Sequence, residues 1–244
     1  AFLSGSRLIV LSPGIPLTAL PVSWARARGV PVIGEIELAG LFCDTPIIAV
    51  TGTNGKTTVM GMLRTIFETA RRPALVCGNI GNPFIGEYAR FSAVEAVLLE
   101  VSSFQLSSCL RFRPHIAVLL NITEDHLDHH ADMAEYIGAK MKLFENQGAG
   151  DWAVLNADDR IISSLSPVTQ ARTRFFSTRG RTNGAFLQEG VLYAATEEPY
   201  PPLMASGDIP LAGLHNRENA MAAALAALAF GIERSTIAAA LSSF

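Results

Sequence analysis

The chain has 244 residues, of which 49% are hydrophobic and 17% are charged. This composition supports a substantial core and excludes an intrinsically disordered chain. The net charge of −3 gives no electrostatic attraction to nucleic acid or to an anionic membrane, so we expect neither as a partner. The longest uncharged apolar run, residues 220–232, is shorter than the roughly 20 residues that span a bilayer, so no membrane span is expected.

The first 45 residues predict a strand, a helix, a second strand and a second helix, at residues 8–11, 19–28, 30–33 and 35–42. This unit is too small to close a core of its own. We interpret residues 1–45 as the remnant of a preceding Rossmann-like α/β domain whose earlier strands are missing. Ser12 follows the first strand, where ligands gather in open α/β sheets. A serine that merely starts a turn fits the sequence equally well.

A second unit is predicted from residue 46 to residue 244, in which buried apolar strands alternate with helices. This pattern is typical of an α/β fold with a mostly parallel sheet and helices on both faces. The expected strands are 47–51, 74–77, 96–100, 116–121 and 152–156, the expected helices are 57–71, 83–90, 133–146, 217–230 and 234–241, and a hairpin joins 185–188 to 191–194.

A glycine-containing turn separates the strand at 47–51 from the helix after it, with the sequence Gly52-Thr53-Asn54-Gly55-Lys56-Thr57-Thr58. Strand, glycine turn, lysine, hydroxyl residue and helix, in that order, indicate a phosphate-binding loop for ATP or GTP. Lys56 would add positive charge near the phosphates, and the Thr57 hydroxyl could join a Mg²⁺ shell. Only two residues separate the glycines instead of the usual four. A plain strand-to-helix turn is the alternative.

Polar residues follow two further strands. Asn79 lies between glycines in Gly78-Asn79-Ile80-Gly81-Asn82, which suits close approach to a ligand. Glu100 ends the strand at 96–100, where a buried carboxylate is costly unless it is paired or binds a cation. The sequence therefore predicts Glu100 as a Mg²⁺ ligand, and an exposed strand-end carboxylate is the alternative.

Carboxylates and imidazoles crowd residues 121–130, directly after the strand at 116–121. This crowding indicates a metal or phosphoryl site more than a solvated turn. Zinc is a weaker interpretation, because His126, His129 and His130 match no zinc spacing and no cysteine joins them. Lys140 and Lys142 follow on the next helix; since they are two residues apart, at most one should point inward.

Two asparagines open the Ala-rich helix near residue 217. Asn216 and Asn219 are three residues apart and so share one face of the helix. Asn216 is the expected N-cap. Capping alone and amide contact with a base or phosphate both fit this pattern.

The cysteines bear on the compartment of the protein. Cys43, Cys77 and Cys109 are far apart and fit neither a zinc site nor a redox pair. We expect reduced, mostly buried thiols in a cytoplasmic protein. No signal peptide opens the chain, and its start at Ala1 leads us to expect that the natural N-terminus is missing.

Together, these motifs resemble the ATP-binding domain of the Mur ligases and folylpolyglutamate synthetases, which share a short Gly-x-x-Gly-Lys-[Thr/Ser] loop. The resemblance covers almost the whole chain. Within the family, the Ser-Ser-Phe-Gln-Leu segment favours the branch that adds D-glutamate. Besides the loop, the motifs that carry it are Ser12-Pro13-Gly14-Ile15, Gly78-Asn79-Ile80-Gly81, Glu100-Val101-Ser102-Ser103-Phe104-Gln105-Leu106, Asn121-Ile122-Thr123-Glu124-Asp125-His126-Leu127-Asp128 and His215-Asn216-x-x-Asn219.

The resemblance implies ATP-dependent amide formation in peptidoglycan synthesis. The γ-phosphate would pass to the alanyl carboxylate of UDP-N-acetylmuramoyl-L-alanine, and the amine of D-glutamate would attack the resulting acyl phosphate. Two Mg²⁺ ions are implied, and we expect a monomer. A sibling Mur ligase, a folylpolyglutamate synthetase and a truncated ATP-binding module without turnover are the alternatives.

The resemblance also implies site roles, matched motif by motif. Residues assigned to ATP are Gly52, Thr53, Asn54, Gly55, Lys56, Thr57 and Thr58 at the phosphates and Asn216 and Asn219 near the adenine. Residues assigned to the metals are Thr57 and Glu100 for the first Mg²⁺ and His126 and a carbamylated Lys140 for the second. Residues assigned to catalysis are Lys56, His126 and Lys140, and those assigned to the UDP-muramoyl substrate are Ser12, Asn79, Ser102 and Gln105. The family's C-terminal amino-acid-binding domain is expected to be absent from this chain.

Overall fold

The computed structural model describes residues 5–15, 19–124, 130–165 and 169–244. Strands within these ranges form one sheet of two strands and one of nine. The strands are β1 (Ile9–Leu11), β2 (Val32–Gly34), β3 (Ile47–Thr51), β4 (Ala74–Gly78), β5 (Ala96–Glu100), β6 (Ile116–Leu119), β7 (Trp152–Asn156), β8 (Arg172–Ser177), β9 (Ala185–Gln188), β10 (Val191–Ala194) and β11 (Pro202–Ala205).

Helices connect most of the strands in the described ranges. The α-helices are α1 (Leu20–Ala27), α2 (Glu35–Gly40), α3 (Lys56–Thr69), α4 (Ser103–Ser107), α5 (Met133–Glu145), α6 (Arg160–Ser164), α7 (Leu214–Ala229) and α8 (Arg234–Ser243). Two 3-10 helices cover Ile85–Ala93 and Ser206–Asp208. No helix of the described residues is both long and apolar enough to cross a membrane.

The small sheet consists of β1 and β2, which pair in parallel and are connected by α1. This is the order of elements that the sequence predicts. The helix after it, α2, is tied to the larger unit by Glu37, whose buried carboxylate accepts hydrogen bonds from the main-chain N–H groups of Leu110, Arg111 and Phe112. The small unit is therefore anchored to the loop that follows α4.

The large sheet has the strand order β11-β10-β9-β8-β7-β6-β3-β5-β4. Every pairing from β4 to β9 is parallel, and only the pairings of β10 with its two neighbours are antiparallel. Val50 of β3 pairs with Glu100 on one side and with Val118 on the other. The carboxyl ends of β3, β5 and β6 therefore meet at one edge of the sheet, where ligands bind in open α/β sheets.

Both faces of the large sheet are covered, as its continuous apolar strands predict. Successive side chains of a strand point to opposite faces. Ile48 and Val50 belong to a core with buried residues of α3, α7 and α8, whereas Ile47 and Ala49 belong to a second core with buried residues of α2, α4 and α5. The prediction of an α/β fold with a mostly parallel sheet and helices on both faces is confirmed.

The structure corrects several details of the predicted elements. The helix expected at 83–90 is a 3-10 helix at Ile85–Ala93; its entry turn has bonds from Gly86 N–H to Pro83 O (3.0 Å) and from Glu87 N–H to Phe84 O (3.1 Å). These i→i+3 bonds, and the low helix propensity of Gly86, favour the tighter form. The sequence prediction also missed two strands and two short helices, which are β8, β11, α4 and α6.

The three cysteines are free thiols. Cys77 and Cys109 are buried, and burial raises the pKa of each to about 12. Cys43 is partly exposed, and desolvation also raises its pKa, with a smaller contribution from Asp44. The expectation of mostly buried thiols is confirmed.

Candidate functional site

The glycine turn lies between the end of β3 and the first residue of α3. Gly55 is the N-cap of α3 and has a left-handed backbone with φ of 86°. A Cβ at this position would lie 2.5 Å from Oδ1 of Asn219, a residue of α7. Glycine is therefore required both by the backbone and by the close approach of α7.

Lys56, the first residue of α3, folds back over this turn. Its Nζ donates hydrogen bonds to the main-chain carbonyls of Gly52 and Thr53, each at 2.8 Å. The first N–H groups of an α-helix have no partner within the helix and carry the positive end of its dipole. The ammonium of Lys56 and the start of α3, including Thr57 and Thr58, thus provide positive charge at the same end of the helix. An anion such as a phosphate binds in such a place.

Glu100, the last residue of β5, connects the turn to the neighbouring strand. One carboxylate oxygen, Oε2, accepts a hydrogen bond from Thr57 Oγ1 at 3.0 Å, and the other, Oε1, accepts one from Asn79 Nδ2 at 2.8 Å. The residue is only 1% exposed, which excludes the alternative of an exposed strand-end carboxylate. A hydroxyl and a carboxylate are oxygen ligands of the kind that Mg²⁺ prefers.

The loop after β4 is held close to Glu100 through its backbone. Asn79 N–H donates to Glu100 O at 2.8 Å. A Cβ at Gly78, whose φ is 109°, would lie 2.3 Å from that same carbonyl oxygen. Gly78 therefore allows the loop to approach β5 closely enough for the Asn79 side chain to reach Glu100.

Asn121, which follows β6, holds the middle of the glycine turn. Its side-chain Oδ1 accepts from Asn54 N–H at 2.8 Å, and its Nδ2 donates to Asn54 O at 3.0 Å. The main-chain carbonyl of Asn121 accepts from Thr53 N–H at 3.0 Å. The sequence does not predict this role, because nothing in the crowded segment 121–130 singles out Asn121 as a partner of the glycine turn.

A buried tyrosine connects the turn to α5. The hydroxyl of Tyr136 lies 3.0 Å from Thr53 Oγ1, and its ring centroid lies 4.6 Å from Lys140 Nζ. Both Tyr136 and Lys140 are at most 2% exposed. Lys142 lies elsewhere and donates to the carbonyls of Ser107 and Cys109, at 2.6 and 3.3 Å. Of the two lysines, Lys140 is therefore the one that lies beside a residue in contact with the turn.

Ser102 and Gln105 form a capping box at the start of α4. Gln105 N–H donates to Ser102 Oγ at 3.3 Å, and Ser102 N–H donates to Gln105 Oε1 at 2.9 Å. This arrangement satisfies main-chain donors at the helix start. The hydroxyl of Ser103, the residue after Ser102, lies 3.0 Å from Nε2 of His130, and both Ser103 and His130 are buried. The two residues expected along the substrate are thus oriented by the helix cap.

The prediction that Asn216 is the N-cap of α7 is wrong. The N-cap is Gly213, with φ of 97°, and Asn216 N–H already bonds to Gly213 O at 3.2 Å within the first turn. The Asn216 side chain donates to Ala212 O at 2.7 Å and accepts from Asn219 Nδ2 at 3.3 Å. Glu218 lies near Asn216 and Asn219 in α7. Its pKa is raised by burial, with a smaller contribution from Asp158.

Two further expected site residues have different outcomes: one lies outside the described residues, and the other lies in the small sheet. His126 lies outside the described residues, as do its neighbours from 125 to 129. Ser12 is exposed at the end of β1 in the small sheet, and its carbonyl accepts from Ile15 N–H at 3.3 Å in a turn. In the described part of the chain, no group of three or more His, Cys, Asp or Glu side chains forms a ready metal site.

Residues 50–227 match the family model of the Mur ligase middle domain. A UDP-N-acetylmuramoylalanine--D-glutamate ligase of Pelotomaculum thermopropionicum is 46% identical over 97% of this chain and 52% of its own length. One of Caldicellulosiruptor bescii is 40% identical over 100% of the chain and 54% of its own length. The chain thus spans about half the length of the curated relatives it matches.

Solved structures match the same fold. The UDP-N-acetylmuramate:L-alanyl-gamma-D-glutamyl-meso-diaminopimelate ligase from Neisseria meningitides has a TM-score of 0.69 at 19% identity, over 100% of this chain and 81% of that one. MurF from Acinetobacter baumannii has a TM-score of 0.65 at 22% identity, over 85% of this chain and 48% of that one. At these identities the likeness is one of fold.

Proposed function

This chain belongs to the Mur ligase family, and we therefore propose that it is the ATP-binding part of a ligase that joins D-glutamate to UDP-N-acetylmuramoyl-L-alanine. The reaction consumes ATP and forms an amide through an acyl phosphate. In this proposal, residues 46–244 form the middle domain, residues 1–45 belong to the domain that binds the UDP substrate, and a further domain binds the amino acid.

The observation that carries the proposal is the cluster of Lys56, Thr57 and Glu100 at one edge of the sheet. Lys56 Nζ lies 2.8 Å from two carbonyls of the glycine turn, and Thr57 lies 3.0 Å from the buried Glu100. A cation, a helix start and a Mg²⁺-type ligand pair are the parts that phosphoryl transfer from ATP requires. A plain strand-to-helix turn explains neither the buried carboxylate nor the lysine folded over the turn.

The roles of the residues follow from this chemistry. Lys56 and the N–H groups at the start of α3 neutralise charge on the phosphates, and this stabilisation is greatest as the γ-phosphoryl group moves to the alanyl carboxylate. Thr57 and Glu100 would hold the first Mg²⁺, and we assign His126 and Lys140 to the second. When bound, the ions offset the negative charge that would otherwise oppose attack by a carboxylate on a phosphate.

Lys140 acts in this proposal as a carbamate. Its neutral amine adds CO₂ and releases a proton, which leaves a carboxylate in place of a cation. Lys140 is only 2% exposed, so a carbamate on its Nζ would be shielded from bulk water. The Tyr136 ring beside Nζ limits the directions in which the side chain can extend.

The substrate residues lie along the same edge of the sheet. Asn79 follows β4, and Ser102 and Gln105 open α4 after β5. We assign them, with Ser12 of the small unit, to the UDP-muramoyl substrate, while Asn216 and Asn219 of α7 lie on the nucleotide side. We further propose a cytoplasmic monomer; the three free thiols support the reducing compartment.

The test is phosphate release by the protein at its natural full length, with ATP, Mg²⁺ and UDP-N-acetylmuramoyl-L-alanine. D-Glutamate should support release, whereas L-alanine, L-lysine and meso-diaminopimelate should not. Release with L-lysine, or with a folate and L-glutamate, but not with D-glutamate would overturn the assignment in favour of a sibling ligase or a folylpolyglutamate synthetase. ATP binding without release under any of these conditions would indicate a module without turnover.

A further inference from the structure

Asn121, at the end of the neighbouring strand, bonds to main-chain groups of both residues between the loop glycines, Thr53 and Asn54. Asn121 accepts from Asn54 N–H at 2.8 Å, donates to Asn54 O at 3.0 Å, and accepts from Thr53 N–H through its own carbonyl at 3.0 Å. The side-chain amide of Asn121 thereby bonds to both main-chain groups of Asn54, as the main chain of a paired strand would. Asn54 is the exposed tip of the loop.

Asn121 is itself held in place on both sides. Leu120 N–H donates to Thr51 O at 3.0 Å, which continues the pairing of β6 with β3. Ile122 N–H donates to Asp159 Oδ2 at 2.8 Å, and Ile122 is buried. Because both neighbours are fixed, the amide of Asn121 is a rigid support for the loop.

These bonds divide the N–H groups of the loop into two sets. Those of Thr53 and Asn54 are occupied by Asn121. The N–H groups at the start of α3 are the ones without a partner inside the helix, since the first intrahelical bond runs from Val59 N–H to Gly55 O at 3.0 Å. The tip of the loop is therefore a structural support, and α3 provides the anion-facing donors.

We infer that Asn121 is a positioning residue of the nucleotide site, whose amide fixes the loop tip so that Lys56 and the start of α3 converge on the phosphates. The inference rests on the proposed function. Asn121 acts through the backbone of Asn54 and not by contact with the nucleotide. Loops that are ordered before binding lose less conformational entropy when the ligand arrives, so loss of this support weakens nucleotide binding.

The test compares Asn121→Ala with wild type in the natural full-length protein. Loss of both side-chain bonds should raise the Kd of Mg–ATP, measured by calorimetry, by about tenfold. The KM for ATP should rise in parallel, while the KM for UDP-N-acetylmuramoyl-L-alanine and for D-glutamate stays within about twofold of wild type. A merely structural role would move all three KM values together.

Asn183→Ala is the matched control. Asn183 also bridges main-chain groups, accepting from Phe175 N–H at 3.2 Å and donating to Thr173 O at 3.4 Å, but it lies beside β8. Its loss should leave the Kd of Mg–ATP unchanged. An equal rise in Kd in this control, or a Kd in Asn121→Ala equal to that of wild type, overturns the inference.

Asn121→Asp is the second variant in case Asn121→Ala does not fold. It keeps an acceptor for Asn54 N–H and loses the donor to Asn54 O. Loss of this donor should raise the Kd of Mg–ATP above that of wild type in Asn121→Asp, with the fold verified by circular dichroism; a wild-type Kd in folded Asn121→Asp contradicts the inference. Absence of Mg–ATP binding by wild type would instead contradict the proposed function, so the two failures are distinguishable.

Discussion

Thr57 Oγ1 donates a hydrogen bond to Glu100 Oε2 across 3.0 Å, which joins the start of α3 to the end of β5. The second oxygen of this buried carboxylate is bonded to Asn79, so Glu100 is oriented before any ligand binds. An oriented hydroxyl–carboxylate pair is suited to an incoming divalent cation, because little rearrangement is needed to present both oxygens to it.

Glu100→Gln should abolish the contribution of Mg²⁺ to ATP affinity, because the amide keeps the shape of the side chain and removes its charge. Calorimetry with Mg²⁺ and with a chelator would measure this contribution as the ratio of the two Kd values. Glu37→Gln is the control, since Glu37 is also buried but bonds to main-chain N–H groups near Arg111. A Mg²⁺ effect of wild-type size in Glu100→Gln would contradict the assignment of Glu100 as a ligand.

Gly55→Ala should destabilise the protein by roughly 1–3 kcal/mol and weaken ATP binding, because the new Cβ meets Asn219 and the residue has positive φ. Gly138→Ala is the control, since Gly138 lies exposed in α5 with no atom within 4 Å of an added Cβ. That substitution should stabilise the helix by about 0.5–1 kcal/mol. Chemical denaturation measures both, and equal stability of Gly55→Ala and wild type would be inconsistent with the close packing of α7.

Lys140→Ala should abolish phosphate release, and a short carboxylic acid such as acetate should restore part of it by replacing the carbamate. Lys142→Ala should retain release and lose stability, because Lys142 Nζ bonds to the carbonyls of Ser107 and Cys109 near the end of α4. Native mass spectrometry should detect a CO₂ adduct on wild type but not on Lys140→Ala. Full activity of Lys140→Ala would remove Lys140 from the mechanism.

Glu35→Gln should change the pH dependence of stability. Burial raises the pKa of Glu35 above 4.5, and the hydrogen bond from Ile85 N–H opposes this only in part. The folded protein therefore binds this proton more tightly than the unfolded chain, so the stability that protonation contributes is present below about pH 4.5 and is lost as the pH rises through the raised pKa. Gln does not titrate. The free energy of unfolding, measured with denaturant at several pH values, should rise in Glu35→Gln relative to wild type as the pH rises. A difference in unfolding free energy that does not change with pH would contradict this.

Much of the sheet edge was predictable, because parallel strands bring their carboxyl ends together. The sequence predicts Glu100 as a Mg²⁺ ligand from the cost of a buried carboxylate and Asn79 as a residue near a ligand from its flanking glycines, and the structure brings both into contact at this edge. The spacing of the hydrophobic residues and the position of the glycines also predict the bounds of β3 and α3 to within two residues. Local patterns were sufficient wherever the chain neighbours of a residue determined its environment.

Long-range contacts were not predictable from the sequence. The approach of Asn219 to Gly55 depends on how α7 packs against α3, and no local pattern reports it. Strand β8 was missed because Arg172 and Arg174 interrupt its apolar character, although both guanidinium groups lie over the ring of Trp152, at 5.3 and 5.2 Å from its centroid. Charged residues can thus cover an apolar surface with their stems and planar groups.

The most direct measurement is a calorimetric titration of Mg–ATP into wild type and Lys56→Ala. Lys56 donates to the carbonyls of Gly52 and Thr53, and circular dichroism would verify that Lys56→Ala retains the fold. Wild type should bind with a defined Kd, and Lys56→Ala should bind at least about tenfold more weakly, because a charge that faces the phosphates is gone. Equal affinity of the two proteins would contradict the assignment of this turn as the phosphate-binding loop of a Mur ligase.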